Sequence, residues 1–240
     1  MNEEEIAIKA QAEKFAKENK KRLAKELTDI SKYIPDEKPI SVFMAGSPGA
    51  GKTESSKNFL DDLEAHTKHK VIRIDGDEIR KHMPGYTGAN SYLFQKAISI
   101  IIDVVHDLTL DQKQTFLLDG TLSSYERARL NINRSLSRNR RVFIFYVYQS
   151  PAVAWKFTQA RETTEGRNIP KEAFIEKFIS ARNVVDQIRK EYDGRVVIFL
   201  VKKNFETHEV EDIIKIEKDG PQIDHYIQER YTESDLETLL

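Results

Sequence analysis

The apolar run Ser41-Val42-Phe43-Met44-Ala45 opens without a spacer into Gly46-Ser47-Pro48-Gly49-Ala50-Gly51-Lys52-Thr53, and a helix-forming stretch follows at once. This is G-x-x-x-x-G-K-[ST] in the strand–loop–helix setting that its mechanism needs. The glycines let successive backbone N–H groups turn inward, and the helix N-terminus adds partial positive charge, so the loop cradles phosphate oxygens. In an open α/β sheet such a cradle belongs at the carboxyl end of a buried strand.

The rest of the chain has the matching rhythm. Short β-rich runs at 41–45, 71–75, 115–119, 141–148 and 195–202 alternate with helical stretches at about 52–66, 91–111, 124–138, 151–163 and 171–192. Most of the short runs are continuously apolar, as strands buried on both faces of a parallel sheet should be. The alternation predicts a doubly wound, mainly parallel α/β sheet of five or six strands with flanking helices. Residues 2–32 lack Gly and Pro, and Ala12, Phe15, Ala16, Leu23, Leu27 and Ile30 form one apolar stripe at helical spacing. Lys and Glu balance there, which favours a solvated helix packed on the domain over a nucleic-acid-binding arm. Pro35 and Pro39 end it, so residues 1–38 read as an N-terminal helical extension and 39–240 as the phosphate-binding domain. Near the end, Gly220-Pro221 marks a turn and 232–240 a short amphipathic segment.

Composition excludes several classes. Among 240 residues, 38 Lys+Arg face 39 Asp+Glu, so there is no cationic surplus for a whole-surface nucleic-acid or membrane binder. The absence of cysteine removes disulfides, thiolate zinc and cysteine nucleophiles, and agrees with a cytoplasmic setting. The start, MNEEEIAIKA, lacks the basic-then-apolar order of a signal peptide. The most apolar stretches, AISIIIDVV and VFIFYVY, fall far short of the about 20 residues of a membrane span.

Gly46, Ser47, Pro48, Gly49, Ala50, Gly51, Lys52, Thr53 and Glu54 therefore form the expected nucleotide site. Lys52 reaches the terminal phosphates and the Thr53 hydroxyl is a Mg²⁺ ligand. The chain has no N-K-x-D element of the kind GTPases use for guanine, and size and downstream residues favour a small-molecule kinase over an oligomeric motor. Phosphoryl transfer also needs a metal-holding acid and a group that takes the acceptor's proton. Two predicted strands end in suitable residues: Asp75-Gly76-Asp77 with Arg80 just beyond, and Asp119-Gly120-Thr121. An apolar strand ending in Asp119 has the Walker-B pattern and points to the Mg²⁺ shell. Asp75 is open between a helix cap and catalysis. Asp77 stands where a base would face the acceptor. Arg161 and Arg167 lie in a polar, breaker-containing segment, 161–170, read either as a lid that closes over phosphates or as surface partners of Glu162 and Glu165.

Together GSPGAGKTE, IDGDEIRKHMPGY, LLDGT and the R-E-x-x-x-G-R-N-I-P-K-E-A-F segment resemble the zeta-toxin family of P-loop kinases over about residues 40–205. The resemblance implies a P-loop kinase-like fold and an ATP- or GTP- and Mg²⁺-dependent kinase of a sugar hydroxyl in UDP-N-acetylglucosamine, the toxin of a toxin–antitoxin pair. It implies Asp77 as the base and Lys52, Arg161 and Arg167 as stabilisers of the transferring phosphoryl group. Asp119 and Thr121 fall on the substrate- or metal-contacting strand end, and Asp103 on a helix position that gives the substrate pocket an acid; Asp77 and, just beyond it, Arg80 are read as substrate-binding as well. Three features depart from the family pattern, mostly on the acceptor side: Asp119 replaces a usual glutamate, Ser123 stands where arginine is frequent, and the lid arginines are unusually close. Two other readings remain: a kinase of a different metabolite or a nucleic-acid 5′ end, and a nucleotide-dependent regulatory binding module.

Overall fold

A computed structural model describes residues 1–67, 69–166, 169–192, 194–204, 210–217, 219–227 and 230–240, apart from the side chains of His66, Thr67 and Glu165. In chain order the elements are α1 (Glu3–Leu27), β1 (Ile40–Ala45), α2 (Lys52–Thr67), β2 (Ile72–Asp75), α3 (Gly76–Arg80), a 3₁₀ turn (Ser91–Phe94), α4 (Gln95–Asp111), β3 (Phe116–Asp119), α5 (Tyr125–Leu136), β4 (Arg141–Tyr148), α6 (Pro151–Glu165), α7 (Lys171–Tyr192), β5 (Val196–Lys203), β6 (Val210–Ile216), α8 (Ile223–Tyr226) and α9 (Glu233–Leu239).

The strands form one sheet in the order β2-β3-β1-β4-β5-β6. The first five are parallel, and β6 pairs antiparallel with β5. Side chains alternate faces along each strand, and both faces are covered. Phe43 and Ala45 join the large core with α1, α4, α5 and α7. Val42 and Met44 join a smaller one with Leu60 of α2, Leu117 and Val201. That double burial is why these strands read as unbroken apolar runs. The order also places β1 between β3 and β4, so the carboxyl end of β1 is the topological switch point, where an open α/β sheet forms its ligand crevice.

The expected N-terminal helix is α1, over Glu3–Leu27, started by a capping box in which Asn2 and Glu5 exchange side chain-to-backbone bonds. Ala12, Ala16, Leu23 and Ala24 are buried, and the three alanines are small enough to let α1 lie close along α4. The Tyr92 hydroxyl donates to Glu5 and Lys96 pairs with Glu13. Ile30 does not continue the stripe: the helix stops at Leu27, and Ile30 is 56% exposed in the turn beyond. The expected single helix over 91–111 begins as a 3₁₀ turn before α4.

His106 lies on α4 against the sheet, 1% exposed, with its ring edge-on to Phe43 and Phe116. Burial, with the Arg134 and Arg140 charges nearby, pushes its pKa down to about 3. The folded state thus holds His106 neutral while the unfolded chain protonates near pH 6.5. Stability is intact above pH 6.5 and falls as pH drops below it, by up to about 1.4 kcal/mol per pH unit until the folded-state pKa is reached. Urea midpoints at pH 7.5 and 5.5 should differ for the wild type, and by less for His106→Gln; an equal difference in both would place the acid sensitivity elsewhere.

Candidate active site

The loop between β1 and α2 is held open by its glycines. Gly46, Gly49 and Gly51 all take positive φ, at 135°, 71° and 83°, a region that side-chain-bearing residues rarely adopt. Gly46 also backs on to β4, and its N–H donates to the Thr121 carbonyl at 3.1 Å. Lys52, the first residue of α2, folds back so that Nζ donates to the carbonyls of Gly46 at 2.9 Å and Ser47 at 2.5 Å. Its ammonium therefore stands inside the loop whose N–H groups would meet phosphate. Glu54, one turn into the helix, accepts from Lys203 Nζ at 3.0 Å. Lys203 closes β5 and is 2% exposed, with its Cε packed against Gly51. Nothing in the sequence drew attention to it, because it follows the apolar strand as one of a lysine pair.

Two carboxylates face each other beside the loop. Asp75 and Asp119 are register partners at the ends of β2 and β3. Between them lies Arg73, whose Nη2 is 2.7 Å from Asp75 Oδ2 and 2.5 Å from Asp119 Oδ2. Its Nε donates to Ser56 Oγ at 3.2 Å. The Ser56 hydroxyl in turn contacts Asp119 Oδ2 at 3.1 Å and the Thr53 carbonyl at 2.9 Å, joining Asp119 to the first turn of α2. Burial raises the Asp75 pKa, with the Arg73 charge opposing it and the Asp119 charge adding to it. The other Asp75 oxygen accepts from the Asp77 N–H at 2.8 Å and caps α3. The cap reading of Asp75 is the one the geometry supports. Ser56 and Arg73 were not singled out from the sequence, although a charged residue between Ile72 and Ile74 in a buried strand was a usable signal.

Asp77 sits in the first turn of α3. Arg80 Nη1, on a side chain 3% exposed, donates to Asp77 Oδ1 at 2.6 Å, and Arg161 Nη2 approaches Oδ2 at 3.4 Å. Arg161 is not on a loop as the breaker content of 161–170 suggested. α6 continues through it to Glu165 and ends where Gly166 takes φ 68° as a left-handed cap. Nor does Arg161 serve only surface acids, since it reaches Asp77. Arg167 lies outside the described residues. Thr121 follows β3, its hydroxyl 2.9 Å from that of Ser123, and Leu122 between them takes φ 52°. Asp103 points to α5, with its two oxygens 3.1 and 3.0 Å from Arg127 Nη2.

The structure thus brings the phosphate loop, Lys52, Thr53, Asp119, Asp77, Arg80, Arg161 and Thr121 to one end of the sheet, with Asp103 in a separate ion pair between α4 and α5. Thr53 and Asp119 are oxygen donors suited to a hard divalent ion, tied together through Ser56. Among the described residues there is no group of three or more acidic or histidine side chains that could hold a metal. That donor set fits an ion that takes its remaining ligands from nucleotide phosphates and water.

A sequence profile of the Zeta toxin family matches residues 24–213. Among curated protein sequences none matches. Among solved structures, one from the study of the PezAT chromosomal toxin-antitoxin system of the human pathogen Streptococcus pneumoniae is similar at TM-score 0.66 and 15% identity, covering 93% of this chain and 91% of that one. The complex of AvrRxo1-ORF1 with AvrRxo1-ORF2 with sulphate ions is similar at TM-score 0.62 and 15% identity, over 90% of this chain and 70% of that one. The same complex with ATP gives 0.58 and 14%, over 86% and 65%. At these identities the structural likeness is one of fold: the mostly parallel six-stranded sheet with flanking helices is the P-loop kinase-like architecture.

Proposed function

Because this chain belongs to the zeta-toxin family, of P-loop kinase-like phosphotransferases, we propose that it transfers the γ-phosphoryl group of ATP or GTP to a sugar hydroxyl of a UDP-sugar such as UDP-N-acetylglucosamine. The observation that carries the reading is one helix serving both halves of the reaction. α6 leans on the phosphate loop at Gly49, through Ala154 and Thr158, and further along carries Arg161 to within 3.4 Å of Asp77. A cation between a phosphate cradle at the end of β1 and an acid just past the end of β2, two strands away, is what phosphoryl transfer to a hydroxyl requires.

In this reading the backbone N–H groups of 46–51 and Lys52 hold the β- and γ-phosphates. Thr53 and Asp119 hold Mg²⁺, which when bound neutralises charge on the transferring phosphates. Asp77 accepts the acceptor's proton as the hydroxyl oxygen forms its bond to γ-phosphorus. The bond from that phosphorus to the β–γ bridging oxygen breaks, and the nucleoside diphosphate leaves with the electron pair. Arg161 moves its charge from Asp77 towards the phosphoryl group, which also frees the carboxylate to act as base; Arg167 has the same role. Arg80 keeps Asp77 in place. Thr121 and Asp103 belong to the acceptor side, and residues 1–38 form a helical extension of the catalytic domain at 39–240. The name of the PezAT system supports a partner antitoxin for this chain as well, and a cytoplasmic setting follows from such an acceptor.

Purified full-length protein with Mg·ATP or Mg·GTP should add one phosphate to UDP-N-acetylglucosamine, read by mass spectrometry across a panel of UDP-sugars and other hydroxyl metabolites. Lys52→Ala should abolish the product. A panel in which no UDP-sugar gains mass would remove the acceptor assignment, and a gain on another metabolite would redirect it.

A further inference from the structure

Asp75 and Asp119 stand directly opposite each other on adjacent strands, little exposed, with a third carboxylate at Asp77 just beyond. Facing carboxylates of this kind repel each other unless a proton or a cation stands between them. Here one guanidinium reaches both: Arg73 Nη2 lies 2.7 Å from Asp75 Oδ2 and 2.5 Å from Asp119 Oδ2. Nε of the same group is fixed to Ser56, which is fully buried on α2. The side chain is thus held at three points, and its cause is legible in the strand, since Arg73 and Asp75 are two apart on β2 and project from the same face.

We infer that Arg73 is a built-in counter-ion for the two strand-end carboxylates, which keeps the site from taking a divalent cation until a nucleoside triphosphate arrives with it. Asp77 is already paired with Arg80 and Arg161; Asp75 and Asp119 against Arg73 leave a single negative charge, and the Lys52 ammonium in the adjoining loop offsets it. A free divalent ion meets no net negative field there. A bound triphosphate brings several negative charges and its own oxygen ligands, which tips the balance. Both contacts to Asp119 fall on Oδ2, so Oδ1 remains the oxygen to meet the ion while Arg73 stays in place. The consequence is a site that loads metal and nucleotide as one unit and leaves the nucleotide-free cleft clear of metal. The inference rests on Asp119 as a ligand in the proposed function, and not on which acceptor is phosphorylated.

The test is nucleotide-free Mn²⁺ binding to the full chain, read by electron paramagnetic resonance of the free ion and by the shift in melting temperature that bound Mn²⁺ produces. The wild type should bind Mn²⁺ weakly without nucleotide and strongly with a non-hydrolysable ATP analogue. Arg73→Met should bind it without nucleotide at least about tenfold more tightly than the wild type, since a unit charge a few ångströms away has been removed. Adding Asp119→Asn should cancel the gain. Arg73→Lys, which keeps the charge, should resemble the wild type. If the uncompensated carboxylates keep Arg73→Met from folding, Arg73→Gln, which removes the charge but keeps a polar group that can reach Ser56 or a carboxylate, should still show the gain. Equal nucleotide-free Mn²⁺ affinity in the wild type and a folded Arg73→Met or Arg73→Gln form overturns the inference. Failure to phosphorylate any UDP-sugar leaves these binding readouts untouched, so the two ideas fail separately.

Discussion

Asp77→Asn is expected to lower turnover by about 10²–10⁴-fold, the range a positioned general base contributes, with nucleotide affinity nearly unchanged. Asparagine keeps the shape of the side chain and an oxygen for Arg80, whose guanidinium is buried and would otherwise lose its charged partner. The fold should therefore lose only about 1 kcal/mol, the worth of a charge-assisted bond exchanged for a neutral one. What the variant cannot do is accept a proton. The check is single-turnover phosphorylation of the acceptor alongside a binding titration with a fluorescent nucleotide. A rate within a few-fold of wild type would mean that the proton leaves by another route, and the role given to Asp77 would fall. Loss of nucleotide binding in parallel would instead assign Asp77 to the phosphate side.

Gly49→Ala should abolish nucleotide binding and destabilise the fold together. At φ 71° a side chain is strained, by roughly 1–2 kcal/mol. A Cβ there would also meet the Ala154 carbonyl oxygen at 1.9 Å and the Thr158 hydroxyl at 2.8 Å. Backbone on α6 cannot yield as a flexible side chain would, so overpacking adds about 1–3 kcal/mol. Relief comes only by moving α6 away from the loop, which carries Arg161 away from Asp77. Urea denaturation should show a lower midpoint, and titration with ATP no saturable binding. Gly85→Ala is the comparison: it also has positive φ, at 77°, but nothing within 4 Å of an added Cβ. It should show the strain alone and leave binding intact. If both variants behave alike, packing against α6 is not what Gly49 supplies.

The phosphate loop was legible in full because each of its parts is local. Glycine spacing, the strand before it and the helix after it all lie within about 25 residues, and the chemistry follows from backbone geometry. The parallel strands were legible for a similar reason, since burial on both faces writes a continuous apolar run into the sequence. β6 was not placed as a strand. Its residues, Val210–Ile216, mix Glu, Asp and Lys with Ile at an exposed sheet edge, where charge is tolerated and the apolar signal is diluted. α3 was missed because it has only five residues and its cap, Asp75, is also the end of a strand.

The candidate-site residues divide along the same line. Lys52, Thr53, Asp77 and Asp119 could be named because each sits at a fixed offset from a strand end or a glycine. Ser56 and Lys203 could not, and Arg73 only as an odd charge in an apolar strand, since their meaning lies in what β3, α2 and the phosphate loop bring to them from elsewhere in the chain. For Arg161, the breaker-rich composition of 161–170 suggested a loop, whereas the helix ends only where Gly166 can take the left-handed conformation.

By itself, then, the sequence determined the phosphate cradle, the parallel α/β architecture and the strand-end acids, all of them consequences of short-range pattern. The tertiary structure alone decided which charge meets which. It set Arg73 between Asp75 and Asp119, Arg80 and Arg161 on the two oxygens of Asp77, and α6 against Gly49. Electrostatic pairing depends on distances of a few ångströms between groups tens of residues apart, and only the packed sheet and its helices supply those distances.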